Sequence, residues 1–241
     1  ARVIIAQDPQ AIISFTPRPE KIEELPRRGL TNLTGRSTPV AAWRSLISTQ
    51  DTIGIKVFSA PGPTSGTRPA VVAAIVQGLL SAGFSSGQIV VWDKHLADLN
   101  RAEFFKLAER FGVRLAGSTA EGYDEKVFYD KALLGKLVWG DLEFGPTGDN
   151  VGRKSHVSKL ITRKITKIIN VTPLLNHNLA GVSGNLYGLA MGSVDNTIRF
   201  EFSSELLASA VPEIYALPEL GDRVVLNIVD ALICQYQGEE H

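Results

Sequence analysis

Ile53-Gly54-Ile55-Lys56-Val57-Phe58 is the stretch that decides the fold, because a short apolar run of this kind is typical of a buried strand. A helix is predicted next over residues 71–83, followed by a second apolar strand over 88–92 and a second helix over 104–111. Continuously apolar strands that alternate with helices indicate a parallel sheet covered on both faces. We therefore predict an α/β fold with a parallel or mixed sheet and helices on both faces, which makes three layers.

Weaker patterns flank this core. They predict a strand over residues 2–6, a helix over 19–30, a helix that starts at Thr38-Pro39, a strand over 167–171 that Thr172-Pro173 interrupts, a helix over 204–217 and a strand over 224–229.

Domain organisation follows from these elements. Residues 117–150 are rich in glycine, aspartate and aromatic residues, and we interpret them as a β-hairpin insertion or an irregular loop excursion. We expect one α/β domain over residues 1–241, with 40–116 and 151–241 as candidate subdomains.

Composition excludes several classes of protein. The chain has 241 residues, 44% of them hydrophobic, and its 25 basic residues balance 25 acidic ones. This argues against a disordered chain, a nucleic-acid-binding protein and a protein held at anionic membranes. The longest apolar stretch, residues 69–80, is too short to span a membrane. Cys234 is the only cysteine, so neither an internal disulfide nor an intrinsic iron–sulfur cluster is expected, and we interpret it as a small buried hydrophobe.

Charged residues lie inside or directly after the predicted strands. Lys56 sits within an apolar strand and needs a partner or a pocket, while Asp93 and Asp230 each follow a strand directly. Ligands of open parallel sheets bind beyond the carboxyl ends of the strands, so these three residues are candidates for acid–base catalysis, and the two aspartates for metal binding. The alternative is that each aspartate caps the next helix.

The loop between Phe58 and Arg68 joins a strand to a helix N-terminus, where backbone N–H groups favour an anion. Its spacing matches neither a Walker A loop nor a dinucleotide-binding loop. Thr67 and Arg68 are candidate anion ligands, together with Lys56. The alternative is that Thr67 caps the helix and Arg68 is solvated.

Residues 151–194 contain no acid, and they hold six basic residues and two histidines. This local positive charge predicts a site for an anion or an acidic protein partner, unless acids elsewhere in the chain pair with it. Asn176-His177-Asn178 precedes a glycine-rich run that includes Asn185. We predict that His177, Asn178 and Asn185 belong to a ligand site, with His177 also a candidate catalytic and metal-binding residue.

Several ordered motifs from about residue 40 onward resemble the domain-of-unknown-function family 362. They are Ile55-Lys56-Val57, Thr67-Arg68-Pro69, Ile89-Val90-Val91-Trp92-Asp93, the run from His177 to Ser183, Asn185-Leu186-Tyr187-Gly188 and the run from Leu226 to Leu232. The resemblance implies an α/β fold and assigns no reaction.

Some members of that family carry iron–sulfur modules, which a lone cysteine cannot supply here, and many bacterial members are exported. The resemblance therefore leaves open whether this chain is periplasmic or cytoplasmic. Two lysines usual in the family are absent, since Asn176 and Gly184 stand near their places.

Three functions remain open at this point. The first is binding, with turnover as an extension, of a small anionic molecule at the strand ends. The second is a non-catalytic accessory role, in which the 153–167 face docks an acidic redox partner. The third is metal binding by His177 with Asp93 or Asp230.

Overall fold

The computed structural model describes residues 2–131 and 154–237. In chain order the strands are β1 (Ile12–Ile13), β2 (Thr16–Pro17), β3 (Ile53–Val57), β4 (Ile89–Asp93), β5 (Arg114–Gly117), β6 (Tyr123–Asp130), β7 (Lys154–Ser158), β8 (Lys167–His177), β9 (Gly181–Ser183) and β10 (Val224–Gln235).

The helices are α1 (Pro19–Ile22), α2 (Glu24–Thr34), α3 (Pro39–Leu46), α4 (Gly62–Ser65), α5 (Pro69–Ser81), α6 (Leu96–Arg101), α7 (Phe104–Phe111), α8 (Ser118–Glu121), α9 (Lys159–Arg163), α10 (Asn185–Ser193), α11 (Ile198–Glu201) and α12 (Ser204–Tyr215).

The central sheet has the strand order β10-β8-β3-β4-β5, and these strands are all parallel. β9 adds to the end of β8 in the antiparallel direction. The chain thus builds β4 and β5 on one side of β3, and then returns to place β8 and β10 on its other side. The prediction of an α/β fold with a mostly parallel sheet is confirmed.

Each face of the sheet packs against its own layer of helices. Alternate side chains of β3, such as Ile53 and Ile55, join one apolar core with α3, α5 and α7. Trp92 of β4 points to the opposite face and packs in a second core with α9, α10 and α12. Every residue of β3 and β4 is buried, as expected for strands covered on both faces.

Local sequence explains where the main helices start. Thr38 accepts a hydrogen bond from the N–H of Ala41, so it caps α3, and proline stands in the first turn of α3 and of α5. None of the helices in the described ranges is long and apolar enough to cross a bilayer.

Two predicted strand assignments are wrong. Residues 2–6, predicted as a strand, form no regular secondary structure. The strand predicted to break at Thr172-Pro173 continues through both residues to His177. Pro173 is tolerated because β3 ends at Val57, opposite Val171, so the missing N–H of the proline lies beyond the pairing with β3.

The described part of the predicted excursion over residues 117–150 contains the short helix α8 and then β6, one strand of a β-ribbon. β6 pairs with β7 in the antiparallel direction, so the ribbon closes at Ser158 and not at residue 150. Residues 132–150 of this prediction lie outside the described residues.

Candidate functional site

The order of the strands marks where a ligand would bind. Chain connections leave β3 toward β4 on one side and reach β8 on the other, so the strand order reverses between β3 and β8. In open α/β sheets, the crevice beyond the carboxyl ends of two such strands is the usual ligand site.

Lys56 and Asp93 form a buried ion pair at the ends of β3 and β4. The Lys56 Nζ donates to Asp93 Oδ1 at 2.7 Å and to the Val57 carbonyl at 2.5 Å, and the Lys56 side chain is fully buried. Asp93 Oδ2 accepts from both the N–H (2.7 Å) and the hydroxyl (2.6 Å) of Ser59. The pair therefore fixes the first residue of the loop that follows Phe58.

Burial lowers the pKa of the Lys56 ammonium, and attraction to the Asp93 carboxylate opposes this shift. Removing the ammonium from water destabilises the folded chain at neutral pH, because the same group ionises freely when unfolded. Asp93 offsets that cost, so this ion pair is a fixed part of the interior and offers no open surface to a ligand.

Asp230 occupies the position that the sequence suggested for an external anion. Its Oδ2 accepts from the backbone N–H of Arg68 at the N-terminus of α5, at 3.0 Å, and its Oδ1 pairs with the Arg68 guanidinium at 2.9 Å. Both side chains are buried. Arg68 also donates to the carbonyls of Thr64 and Ile233. The chain thus supplies its own carboxylate where a helix N-terminus favours negative charge.

Thr67 completes the attachment of the same loop. Its hydroxyl donates to the Val171 carbonyl of β8 at 2.9 Å and accepts from the N–H of Phe58. The loop between β3 and α5 is therefore held at its start by Asp93 and at its end by Thr67 and Asp230.

A polar row crosses the sheet at the level of Lys56. In the register of the sheet, Lys56 lies opposite Asn170, which lies opposite Asn227. The Asn170 amide donates to Asn227 Oδ1 at 2.9 Å and to the Asn185 carbonyl at 2.7 Å. This row lies under α10 and ties its first residue to the sheet.

Asn185 begins α10 and is fixed by β8. The Thr172 hydroxyl donates to Asn185 Oδ1 at 2.6 Å. The sequence pattern predicts that the strand breaks at Thr172, so it does not predict this contact.

Two glycines let α10 cross close over the strand ends. A Cβ on Gly188 would lie 2.6 Å from Thr172 Cγ2, and one on Gly192 would lie 2.2 Å from Lys56 Cε. Both glycines lie in the glycine-rich part of the chain that follows His177. Packing accounts for these two of its glycines.

His177 ends β8 and is held in a tight turn. The backbone N–H groups of Leu179 and Ala180 both donate to its Nδ1, at 3.3 and 3.0 Å. Nδ1 is therefore an acceptor without a proton, and Nε2 carries the hydrogen that it shares with the Tyr187 hydroxyl at 3.1 Å. Asn178 lies exposed in the same turn.

Tyr187 is the residue of this site that sequence reasoning left without a role. Its ring lies 4.7 Å from the His177 ring and 6.3 Å from Phe58, measured between centroids. Its position two residues after Asn185, in the run that follows His177, was the signal available in the sequence.

A surface groove opens beside Tyr187, between the start of α10 and α12. We call it the α10–α12 groove. It has a volume of about 310 Å³ and is mainly apolar, with Leu186 and Val182 on one side and Leu207 and Val211 on the other. Tyr187, Asn185 and Ser204 supply its polar side chains. Small-molecule sites are typically mostly apolar clefts with a few placed polar groups and volumes of about 300 Å³ or more.

The structure does not gather the predicted metal ligands. Within residues 2–131 and 154–237, no group of three or more His, Cys, Asp or Glu side chains is placed to hold a metal ion. Asp93 and Asp230 are already engaged by Lys56 and Arg68. Metal binding by His177 with either aspartate stays a prediction.

The basic segment is partly neutralised by acids from outside it. Lys164 pairs with Glu121 at 2.7 Å, and Arg163 pairs with Asp124 at 3.4 Å. Docking of an acidic redox partner on the 153–167 face therefore also stays a prediction.

The expectation for Cys234 was wrong, because its side chain is exposed. β10 is the edge strand of the sheet, and Cys234 is its second-to-last residue.

The predicted site residues thus fall into three places. Lys56 pairs with Asp93. Arg68 pairs with Asp230 of β10, and Thr67 donates to the Val171 carbonyl of β8. His177 contacts Tyr187, two residues after Asn185. The first two places are buried contacts within the protein. The third borders an open groove.

The family model described as "Domain of unknown function (DUF362)" matches residues 53–241. The chain belongs to DUF362. The DUF362 region therefore starts at β3 and contains the central sheet, while residues 2–52 precede it.

Solved structures add a distant likeness for this DUF362 chain. A crystal structure of a protein from Thermotoga maritima, a structural genomics target, matches with 13% sequence identity and a TM-score of 0.48. The match covers 88% of this chain and 45% of that protein, so this chain spans less than half of its length. No curated protein matches the sequence.

Proposed function

We propose that this chain binds a small organic anion with an apolar body in the α10–α12 groove. The observation that supports the proposal is the groove itself, which places Tyr187, Asn185 and the exposed side chains of Leu186 and Val182 around one cleft. The groove lies beside His177, the last residue of β8, which contacts the lining residue Tyr187.

Charge favours an anionic head group at the α10 end of the groove. Gly184 gives α10 no side-chain cap, and the first turn of the helix contains no acid. The first N–H groups of a helix have no partners within it, and they attract negative charge. None of the described residues that line the groove is acidic.

The apolar lining favours a hydrocarbon body on the same ligand. Leu207 and Val211 of α12 are buried, so they form a fixed floor and wall for an alkyl or aromatic group. The hydrogen bond between His177 and the Tyr187 hydroxyl fixes the orientation of that hydroxyl, so His177 is a positioning residue in this proposal.

The two buried ion pairs have a supporting role in the proposal. Lys56–Asp93 and Arg68–Asp230 hold the loop that follows Phe58, whose ring lies 6.3 Å from that of Tyr187 at the groove. Acid–base catalysis by Lys56, Asp93, Asp230 or His177 is not needed for binding and stays a prediction.

Calorimetric titration with acetate, hexanoate, decanoate, benzoate and inorganic phosphate tests the proposal. We expect affinity to rise with the apolar size of the carboxylate and to be lowest for acetate and phosphate, since the lining of the groove is apolar. Ala208→Trp places an indole in the groove and should abolish binding, whereas Ala97→Trp on exposed α6 is the matched control and should leave it unchanged.

Tyr187→Phe tests the contribution of the anionic head group to affinity separately from that of the apolar body. It should weaken carboxylate binding several-fold and leave binding of the corresponding alcohols unchanged. The proposal fails if no ligand of the panel saturates, or if Ala208→Trp binds as tightly as the native chain.

A further inference from the structure

The Asn185 side chain is held by the sheet through one end of its amide. The Thr172 hydroxyl donates to Asn185 Oδ1 at 2.6 Å, and the Asn170 amide donates to the Asn185 backbone carbonyl at 2.7 Å. Both donors belong to buried residues of β8. Asn185 therefore lines the α10–α12 groove with its amide oxygen already engaged by the interior.

The nitrogen end of the same amide is a hydrogen-bond donor that the chain leaves unused. Within residues 2–131 and 154–237, no group accepts a hydrogen bond from Asn185 Nδ2. This nitrogen carries two N–H donors and has no acceptor. Since the oxygen of the amide is held by Thr172, a ligand in the groove meets N–H donors at Asn185.

The α10–α12 groove is also neutral. Among the described residues that line it there is no Lys, Arg, His, Asp or Glu. Taking an ion out of water is costly where no opposite charge compensates for it, and a second charge on the ion adds to that cost. An alkyl phosphate is nearly doubly charged at neutral pH, whereas an alkyl carboxylate carries one charge. A neutral groove with amide N–H donors therefore favours the carboxylate.

We propose that the ligand of the α10–α12 groove is a monocarboxylate with an apolar body, whose head group accepts a hydrogen bond from Asn185 Nδ2. Thr172 fixes this selectivity, because it holds Asn185 Oδ1 away from the ligand. Thr172 is buried and does not line the groove, so it is a positioning residue. This inference rests on the proposed function, and it adds which head group is selected and which side chain selects it.

Calorimetric titration of the native chain with octanoate, octyl phosphate and octylamine tests the head-group selectivity. The three compounds share one alkyl chain, so differences in affinity come from the head group. Octanoate should bind at least about tenfold more tightly than the other two, because the phosphate carries more charge and the ammonium has no acceptor atom. Equal or tighter binding of octyl phosphate or octylamine overturns the proposal.

Asn185→Asp replaces the N–H donors with an acceptor of the same shape. The fold should tolerate it, because an acid in the first turn of a helix is favourable. Octanoate binding should weaken more than about tenfold, and octylamine should now bind, since the new carboxylate repels one head group and pairs with the other. Asn100→Asp on exposed α6, outside the groove, is the matched control and should leave both affinities unchanged. Native octanoate affinity in Asn185→Asp overturns the proposal.

Thr172→Val and Thr172→Ser test the positioning role. Thr172→Val removes the hydroxyl and keeps the shape, so the Asn185 amide can turn either end to the groove. It should weaken octanoate binding several-fold and lower the preference over octylamine, whereas Thr172→Ser should retain both. Native selectivity in Thr172→Val overturns the role of Thr172.

The same titrations separate this inference from the proposed function. If the native chain binds the octyl compounds without preference, only the head-group inference fails. If it binds none of them, the proposed function fails and the inference falls with it.

Discussion

At the scale of single residues, the protein places two ion pairs in its interior, one across the ends of β3 and β4 and one between β10 and the start of α5. Lys56–Asp93 and Arg68–Asp230 are buried, and each aspartate also accepts a backbone N–H of the loop between β3 and α5. Removing one partner of such a pair leaves an uncompensated charge in the interior, which is far more costly than losing an exposed pair.

Asp230→Ala should lower the free energy of unfolding by about 3–5 kcal/mol, because it leaves the Arg68 guanidinium buried without its counter-ion. Urea denaturation followed by circular dichroism measures the change. Asp222→Asn, at an exposed aspartate, is the control and should change stability by less than about 0.5 kcal/mol.

The same variant tests whether Asp230 fills an anion position. Added formate or acetate should restore part of the lost stability of Asp230→Ala and should have little effect on the native chain. Equal effects of the salt on both chains would contradict this reading of the α5 N-terminus.

At the scale of elements, α10 is the helix whose placement depends most on single side chains. Gly188 and Gly192 face the sheet, and a side chain at either would collide with Thr172 or Lys56, whereas Gly184 has only a distant contact with Val182. Gly188 and Gly192 are thus needed for the close packing of α10 on the sheet, whereas Gly184 is not.

Gly192→Ala should destabilise the fold by about 1–3 kcal/mol, the usual cost of overpacking a dense interior. Lys56 cannot move aside easily, because its Nζ is held by Asp93 and the Val57 carbonyl. Gly184→Ala is the matched control in the same run and should stay within about 0.5 kcal/mol of the native chain. Thermal and urea unfolding of both variants measures the difference, and equal losses would refute the close approach of α10.

Elements were predictable where local pattern is strong. The helices over 69–81 and 104–111 and the strands β3 and β4 follow from apolar periodicity and from the prolines and glycines at their ends. The continuation of β8 through Pro173 was not predictable, because it depends on where the neighbouring β3 ends.

At the scale of the whole molecule, the sheet joins the two halves of the chain. β3 from the first half pairs directly with β8 from the second over five residue pairs, so the candidate subdomains 40–116 and 151–241 share one sheet. Residues of the segment before β3, such as Trp43 and Ile22, are buried in the same core as α5.

We therefore predict a single cooperative unfolding transition. Fluorescence of buried Trp43 and Trp92, which report on opposite faces of the sheet, should change at the same urea concentration as the far-ultraviolet circular dichroism. Two separated transitions would show that the halves unfold independently and would contradict the single domain expected over residues 1–241.

The sequence by itself determined the α/β class and the residues at the strand ends. Lys56, Asp93, Arg68, Asp230 and His177 were identified from their positions relative to apolar runs, because local periodicity reveals which positions are buried. Tertiary structure alone decided their partners. Asp93 lies 37 residues from Lys56, and Asp230 lies 162 residues from Arg68. Pairing over such distances depends on strand order and register, which no local pattern encodes. Through that pairing, Lys56 and Arg68 each hold an internal carboxylate, while the groove beside Tyr187 is open to the surface.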